Sequence, residues 1–283
     1  QDTPGVAGVA EAGDAWGSSL DAVGTIPNTF RIAIGAPRED IGSVVDAGAA
    51  WDNLWRVGDP CAPGARPEII AGGFSHQGDG FVGDTAETGD LFGSVVHYGQ
   101  FGPGIARFMV GTPREDRESD GLGDTGCIQI FNGPEAERQC QFADDLGLPA
   151  AASGQLTGSA IDVADYDLDS FGEMVVGIPG ADTTFFNRAG AIAVINDTSA
   201  GLVPQQVIDL SVSGNSFGAF GTSVVMTSSP RRLGRTELDL LIGNPGYDSG
   251  SLDRAGRGIR VAILGAMIFG DGFETGDLSA WEP

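Results

Sequence analysis

The sequence predicts an all-β protein that contains four copies of one repeat. Glycine is very abundant, with 46 residues in a chain of 283, and it follows no collagen-like period. Such a composition indicates many tight turns and therefore many short strands. Hydrophobic residues make up 41% of the chain, so a globular protein with a sizeable core is expected. No stretch shows a convincing amphipathic helix pattern.

Self-similarity along the chain defines the four repeats. Each repeat has an early glycine, then a Gly-x-Pro motif, then a late glycine. The early glycines are Gly17, Gly93, Gly158 and Gly221. The Gly-x-Pro motifs begin at Gly35, Gly111, Gly177 and Gly243. The late glycines are Gly48, Gly126, Gly190 and Gly256. A recurrence of about 70 residues suits one four-stranded blade of a β-propeller with generous loops.

Three strands are clear in each repeat, because short apolar runs bounded by Gly and Pro favour strand over helix. The first strand follows the early glycine, as in SSLDAV, and the second ends at the Gly-x-Pro motif, as in RIAIG. The third begins at the late glycine, as in GAIAVI. A fourth, outer strand is predicted most clearly for ARPEIIAG and PQQVIDLSV.

The repeats set the predicted domain boundaries. Residues 1–265 are expected to form the propeller, with repeats near 11–75, 87–145, 153–212 and 216–265. Residues 266–283 are expected to form a tail whose ETGDLSAW resembles the ETGDLFG that opens the second repeat. We expect this tail to act as a closing or donor strand, paired with the first blade of its own chain or of a neighbour. A sorting motif is the alternative.

These landmarks resemble the FG-GAP repeat of integrin α-subunit propellers and of many secreted bacterial proteins. The Phe-Gly pair of that repeat occurs at Phe92-Gly93 and Phe220-Gly221, and Gly-Ala-Pro occurs at Gly35–Pro37. The resemblance implies a β-propeller located outside the cell or on its surface. Such propellers usually have seven blades, so three arrangements are open for four repeats: a small closed ring, a ring completed by a second chain, or an open assembly.

The stretch DYDLDSFGE, from Asp165 to Glu173, is predicted to bind one Ca²⁺ ion. It fits the calcium loop between the first two strands of an FG-GAP blade, and Ca²⁺ prefers six to eight oxygen ligands. The expected ligands are the carboxylates of Asp165, Asp167, Asp169 and Glu173 and the backbone carbonyl of Phe171. The corresponding loops of the other repeats carry arginine instead, as at Arg31, which we expect to bond the loop carbonyls.

Two further acidic segments read PRED, at 37–40 and 113–116. A second cation site and surface ion pairs are both compatible with them, and we favour ion pairs. The cysteines are Cys61, Cys127 and Cys140. Either Cys127 pairs with Cys140 across a turn between two strands, or all three are buried free thiols.

The function expected from these features is non-catalytic. Motifs of serine hydrolases, zinc proteases and P-loop enzymes do not occur in the sequence, and His97 is expected to be a packed or surface side chain. A net charge of −24 argues against nucleic acid as a partner. No apolar run reaches the length of about 20 residues that spans a bilayer.

We therefore expect a secreted or cell-surface, calcium-binding module that acts in adhesion by binding an extracellular protein or glycan. The alternative is a structural subunit that binds copies of itself in a surface layer or fibre. A second alternative is an accessory domain of a secreted hydrolase.

Overall fold

A computed structural model describes most of the chain. The described residues are 6–58, 66–80, 82, 84–100, 106–131, 140–147, 150–165, 172–198, 201–209, 218–230, 236–248, 254–264 and 267–272. For some residues within the strands of the third and fourth sheets only the backbone path is described. These are 197–198, 201, 228–230, 236–238, 262–264 and 267–272.

Four antiparallel sheets make up the described part of the chain, which contains no helix. Sheet 1 consists of β1 (Ser19–Gly24), β2 (Thr29–Ala36), β3 (Ala49–Arg56) and β4 (Glu68–Ser75). Sheet 2 consists of β5 (Val95–Gln100), β6 (Ala106–Thr112) and β7 (Cys127–Phe131). Sheet 3 consists of β8 (Ala160–Ala164), β9 (Glu173–Ile178), β10 (Ala191–Thr198) and β11 (Gly201–Asp209). Sheet 4 consists of β12 (Val224–Pro230), β13 (Thr236–Asn244), β14 (Arg257–Leu264) and β15 (Met267–Gly272).

The all-β prediction is confirmed, and the strands within each sheet follow one another in chain order. The two outer strands predicted from sequence are present as β4 and β11. The described part of the predicted tail forms β15, which pairs with β14 of its own sheet and not with sheet 1. A short connection places β15 beside β14, so this local pairing costs less loop-closure entropy than a return to the first sheet. The tail from residue 273 onward lies outside the described residues.

Apolar side chains fill the three spaces between successive sheets. The core between sheets 1 and 2 includes Ala33, Ala50, Phe92, Val96 and Phe108. Between sheets 2 and 3 the core includes Met109, Ile128, Ile161, Met174 and Val176. Between sheets 3 and 4 it includes Val175, Ile192, Phe220, Val224 and Ile242. Because β9 is buried on both faces, its sequence EMVVGI is a nearly continuous apolar run and not an alternating one.

One backbone hydrogen bond recurs at each of the three junctions between sheets. The N–H of the residue before the early glycine donates to the carbonyl of the residue before the late glycine of the preceding sheet. The donors and acceptors are Phe92 and Ala47 at 2.9 Å, Thr157 and Thr125 at 2.9 Å, and Phe220 and Ala189 at 2.8 Å. The residues just before the early and late glycines of the repeat therefore form the contacts between sheets.

Glycine is required at these junctions because the backbones approach closely. A Cβ atom added to Gly111 would lie 2.2 Å from the carbonyl oxygen of Gly158. The equivalent positions Gly35 and Gly177 face the next sheet in the same way. This approach brings the first strands β1, β5, β8 and β12 side by side in that order. Equivalent positions of different repeats thereby become neighbours.

Candidate functional site

The predicted calcium loop connects β8 and β9 as a hairpin. Ala164, at the end of β8, is the cross-strand partner of Glu173, at the start of β9. The structure therefore brings the two ends of the predicted ligand set, Asp165 and Glu173, to the same end of the hairpin. The other three predicted ligands, Asp167, Asp169 and Phe171, lie outside the described residues.

The surroundings of Glu173 suit a cation that prefers oxygen ligands. Glu173 is 1% exposed, and its cross-strand partner on β10 is Asn196. The Oδ1 atom of Asn196 is buried and has no hydrogen-bond partner among the described residues. A buried carboxylate beside an unpartnered amide oxygen fits the hard-oxygen preference of Ca²⁺. The sequence did not indicate Asn196, because only the pairing of β9 with β10 places it there.

The loop end also contacts sheet 2. A Cβ atom added to Gly172 would lie 2.2 Å from the carbonyl oxygen of Gln100, at the end of β5. The predicted metal loop consequently sits at a junction between two sheets. An ion held there would order the hairpin of sheet 3 where it meets its neighbour.

Arg31 does not fill the role that the sequence suggested for it. Its guanidinium donates to the carboxylate of Asp52 on the neighbouring strand β3. In sheet 4 the same two positions hold Asp239 and Arg260, whose carboxylate and guanidinium are 2.6 Å apart. In sheet 1 the arginine is on the second strand and the aspartate on the third, whereas in sheet 4 the aspartate is on the second strand and the arginine on the third. This position therefore carries a cross-strand ion pair in sheets 1 and 4.

A row of ionisable side chains crosses the first strands of sheets 1, 2 and 3. Asp21, His97 and Asp162 each lie four residues after the early glycine of their repeat. Nδ1 of His97 is 3.0 Å from Oδ2 of Asp21, and Nε2 is 3.4 Å from Oδ1 of Asp162. One imidazole thus contacts a carboxylate on each side. The row was not predicted from the sequence, although the shared four-residue offset from the early glycine was a signal for it.

Each carboxylate of the row also accepts a backbone N–H from the next sheet. Tyr98 N donates to Asp21 at 2.7 Å, and Met226 N donates to Asp162 at 2.6 Å. Burial alone would raise the pKa of Asp21. The bonds from His97 and Tyr98 outweigh burial, and its pKa is lowered from the ordinary value. The row is therefore an electrostatic link between sheets that needs Asp21 ionised.

A second group of acids is buried where sheet 1 meets sheet 2. Glu115 is fully buried and accepts a hydrogen bond from Gln77. Burial, together with the nearby carboxylates of Asp84 and Asp90, raises the pKa of Glu115 to about 10. Burial and repulsion by Glu87 raise the pKa of Asp90 to about 7, although a backbone N–H opposes this shift. At neutral pH Glu115 is therefore protonated and can donate to Asp84.

A disulfide bond between Cys127 and Cys140 lies beside Glu115 and resolves the choice left open by the sequence. Cys61 lies outside the described residues. A carboxylate oxygen of Glu115 and both sulfur atoms lie within 4.8 Å of one another. Both sulfurs are used in the disulfide, so they offer no thiolate to a metal ion.

The acids of the two PRED segments cap a loop, a role that was not predicted from the sequence. The last Asp of each PRED segment, and its equivalents in sheets 3 and 4, accept a backbone N–H from a residue in the left-handed region. The acceptors are Asp40, Asp116, Asp182 and Asp248, and the donors are Asp46, Asp124, Arg188 and Arg254. The same cap closes the loop after the second strand in all four repeats. These aspartates are parts of the repeat and not only surface charges.

No model of a known protein family matches the chain, and no curated protein matches it either. Within the described residues, no helix has the length and apolar character needed to cross a membrane.

Proposed function

We propose that the chain is a non-catalytic, calcium-binding β-propeller module of the FG-GAP type, which acts outside the cell in binding or adhesion. The observation that carries this proposal is the junction repeated between sheets 1 and 2, 2 and 3, and 3 and 4. In a propeller, successive blades pack face to face with their first strands around an axis. The contacts of β1 with β5, β5 with β8 and β8 with β12 support that arrangement.

Calcium binds the loop from Asp165 to Glu173 and has a structural role. The buried carboxylate of Glu173 and the unpartnered oxygen of Asn196 support a ligand set that extends beyond the loop. Because the loop end contacts Gln100, the ion stabilises the junction of sheets 2 and 3 as well as the hairpin.

The extracellular location is supported by the Cys127–Cys140 disulfide, because such bonds persist in oxidising compartments. The partner is an extracellular protein or glycan, recognised by the loops that the sheets hold in place. A second candidate function, self-assembly into a layer or fibre, is favoured by a separate observation: large apolar side chains such as Leu20 and Leu241 are exposed on the two outermost sheets.

Calcium titration tests the metal part of the proposal. The thermal midpoint of the chain should rise with calcium and fall with a chelator, since an ion that binds only the folded state adds about 2.7 kcal/mol at 100 times its Kd. Asp165→Asn and Glu173→Gln should reduce this shift, whereas Glu118→Gln, which removes an exposed carboxylate elsewhere, should retain it. Equal midpoints with calcium and chelator would contradict the metal site.

Binding is tested separately with arrays of extracellular glycans and matrix proteins, probed with the intact chain in calcium and in chelator. Calcium-dependent binding to a member of either class supports the module. Uniformly negative arrays contradict the binding role and leave self-assembly as the function.

A further inference from the structure

The two outermost sheets expose positions that are buried at every internal junction. On the side of sheet 1 where no preceding sheet lies among the described residues, Leu20 is 63% exposed. Its equivalents, each three residues after an early glycine, are all buried against the preceding sheet. These are Val96, Ile161 and Val224. Trp16 is 40% exposed, whereas its aromatic equivalents Phe92 and Phe220 are fully buried. We call Trp16, Gly17 and Leu20 the head face.

Sheet 4 exposes apolar side chains on the side that faces away from sheet 3. Leu241, two residues before Gly243 of the Gly-x-Pro motif, is 41% exposed. The equivalent side chains of sheets 1, 2 and 3 are completely buried against the following sheet. These are Ala33, Met109 and Val175. Val225, the cross-strand partner of Leu241, is exposed as well. We call Val225, Leu241 and Ala255 the tail face.

At both faces the backbone of the described residues does not make the contact that it makes at every internal junction. The bond that would correspond to the internal junctions, from Trp16 N to Ala255 O, does not occur in the described part of the chain. A Cβ atom added to Gly17 would meet nothing within 4 Å. At Gly93 it would lie 2.3 Å from a carbonyl oxygen of the preceding sheet. The head face therefore has room for a sheet edge of the kind that packs on Gly93.

We propose that the head face of one copy of this chain docks onto the tail face of a second copy and rebuilds, between two molecules, the part of the internal junction that lies along the first strand. The inference deepens the proposed function, because it rests on propeller-type packing and names the partner in self-assembly. The two faces fit because they are the unused sides of one repeat whose other copies already pack together three times. Such a head-to-tail contact gives a closed ring if the rotation closes and an open chain if it does not.

The contact is confined to the part of sheet 1 near β1. Trp51, in the middle of sheet 1, is fully buried and donates its indole N–H to the carbonyl of Ala7 at 2.8 Å. The N-terminal segment thus covers the centre of this sheet and leaves Trp16 and Leu20 exposed beside it.

Charge sets the conditions under which association is measured. Each copy has a net charge of −24, so repulsion between copies opposes the contact. At about 1 M salt the Debye length is roughly 3 Å, and this repulsion is screened. Association through apolar surfaces should therefore strengthen as the salt concentration rises.

The test measures the mass of the intact chain in solution by light scattering, over a range of protein and salt concentrations. The wild type should exceed its monomer mass of 29.0 kDa as either concentration rises. Leu20→Glu and Leu241→Glu should each weaken association at least about tenfold, because each would bury a charge at the contact. Phe185→Glu is the matched control, since Phe185 is also exposed but lies in a loop of sheet 3 away from both faces.

Mixing the two variants separates this proposal from other modes of association. The Leu20→Glu variant keeps an intact tail face, and the Leu241→Glu variant keeps an intact head face. An equimolar mixture should therefore form a dimer through one head and one tail, although each variant alone remains a monomer. Mixtures that stay monomeric, or an effect of Phe185→Glu equal to that of Leu241→Glu, would overturn the proposal.

A wild-type chain that remains monomeric at every concentration and salt level also overturns it, and means that the two faces meet within one chain or bind another protein. The calcium-dependent melting of the same samples reports on the proposed module independently. A monomer that still melts at a higher temperature with calcium rejects the self-association and leaves the calcium-binding module intact.

Discussion

His97 and Asp21, which are far apart in the sequence, form a charged contact between sheets 1 and 2: Nδ1 of the imidazole lies 3.0 Å from Oδ2 of the carboxylate. On its other side the same ring approaches Asp162 of sheet 3. One imidazole therefore lies between carboxylates of sheets 1 and 3 and ties three sheets together.

Removing the charge of Asp21 should destabilise the fold in a pH-dependent way. Because its pKa is lowered in the folded state, its contribution is present above the ordinary carboxyl pKa and is lost as the pH falls through the lowered value. Asp21→Asn should reduce the free energy of unfolding by about 1–3 kcal/mol at pH 7. The difference in unfolding free energy from wild type should shrink in acid, as measured by urea unfolding at pH 7 and at an acidic pH.

Glu68→Gln is the matched control for this variant, because Glu68 forms an exposed ion pair with Arg56. Its effect should stay within about 0.5 kcal/mol. A loss for Asp21→Asn that is the same in acid and at neutral pH would show that its charge is not involved.

Glu115 should make the protein less stable as the pH rises. Its pKa is raised to about 10 in the folded state, so its folded form holds a proton that the unfolded chain releases. The stabilisation that protonated Glu115 contributes is fully present below the ordinary carboxyl pKa and is lost as the pH rises through about 10. Glu115→Gln mimics the protonated side chain and should flatten the decline in unfolding free energy between pH 5 and pH 9, measured by chemical denaturation.

Some decline should remain in Glu115→Gln, because the pKa of Asp90 is also raised, to about 7. Glu11→Gln, at an exposed position, should keep the full wild-type decline. If Glu115→Gln follows the wild-type curve, the side chain is already ionised in the folded protein.

Gly111→Ala should destabilise the junction between sheets 2 and 3. The added methyl group would lie 2.2 Å from the carbonyl oxygen of Gly158, so the two sheets must separate locally. We expect a loss of about 1–3 kcal/mol, as for other overpacked sites. Gly24→Ala is the control, since nothing lies within 4 Å of the added atom there. Equal melting temperatures for the two variants would contradict the close approach of the sheets.

Asp182→Ala should open the loop that follows the second strand of sheet 3. The carboxylate of Asp182 accepts the backbone N–H of Arg188 at 2.7 Å, where Arg188 has a left-handed φ of 48°. Loss of this acceptor should cost about 1 kcal/mol and speed amide hydrogen exchange at Arg188. Asp182→Asn keeps a side-chain oxygen and should preserve slow exchange. Rapid exchange in the wild type would show that the cap does not hold in solution.

Local chemistry explains which parts of the fold were predictable. The apolar run EMVVGI and the bounding glycines predicted β9 because strand formation and turns depend on neighbouring residues. The disulfide remained one of two alternatives. Asn196 and the row formed by Asp21, His97 and Asp162 were missed, since strand register and sheet packing place them and no single segment contains them.

The sequence by itself determined the number of repeats, three strands of each repeat and the acidic loop that begins at Asp165, because each of these depends on short-range patterns of side chains. Only the tertiary structure decided which faces of the sheets pack against each other. It buried Phe92 and Phe220 between sheets while leaving Trp16 exposed, although all three occupy the same position of the repeat. The physical reason is that burial depends on a neighbouring sheet, and in the described part of the chain sheets 1 and 4 each have a neighbouring sheet on one side only.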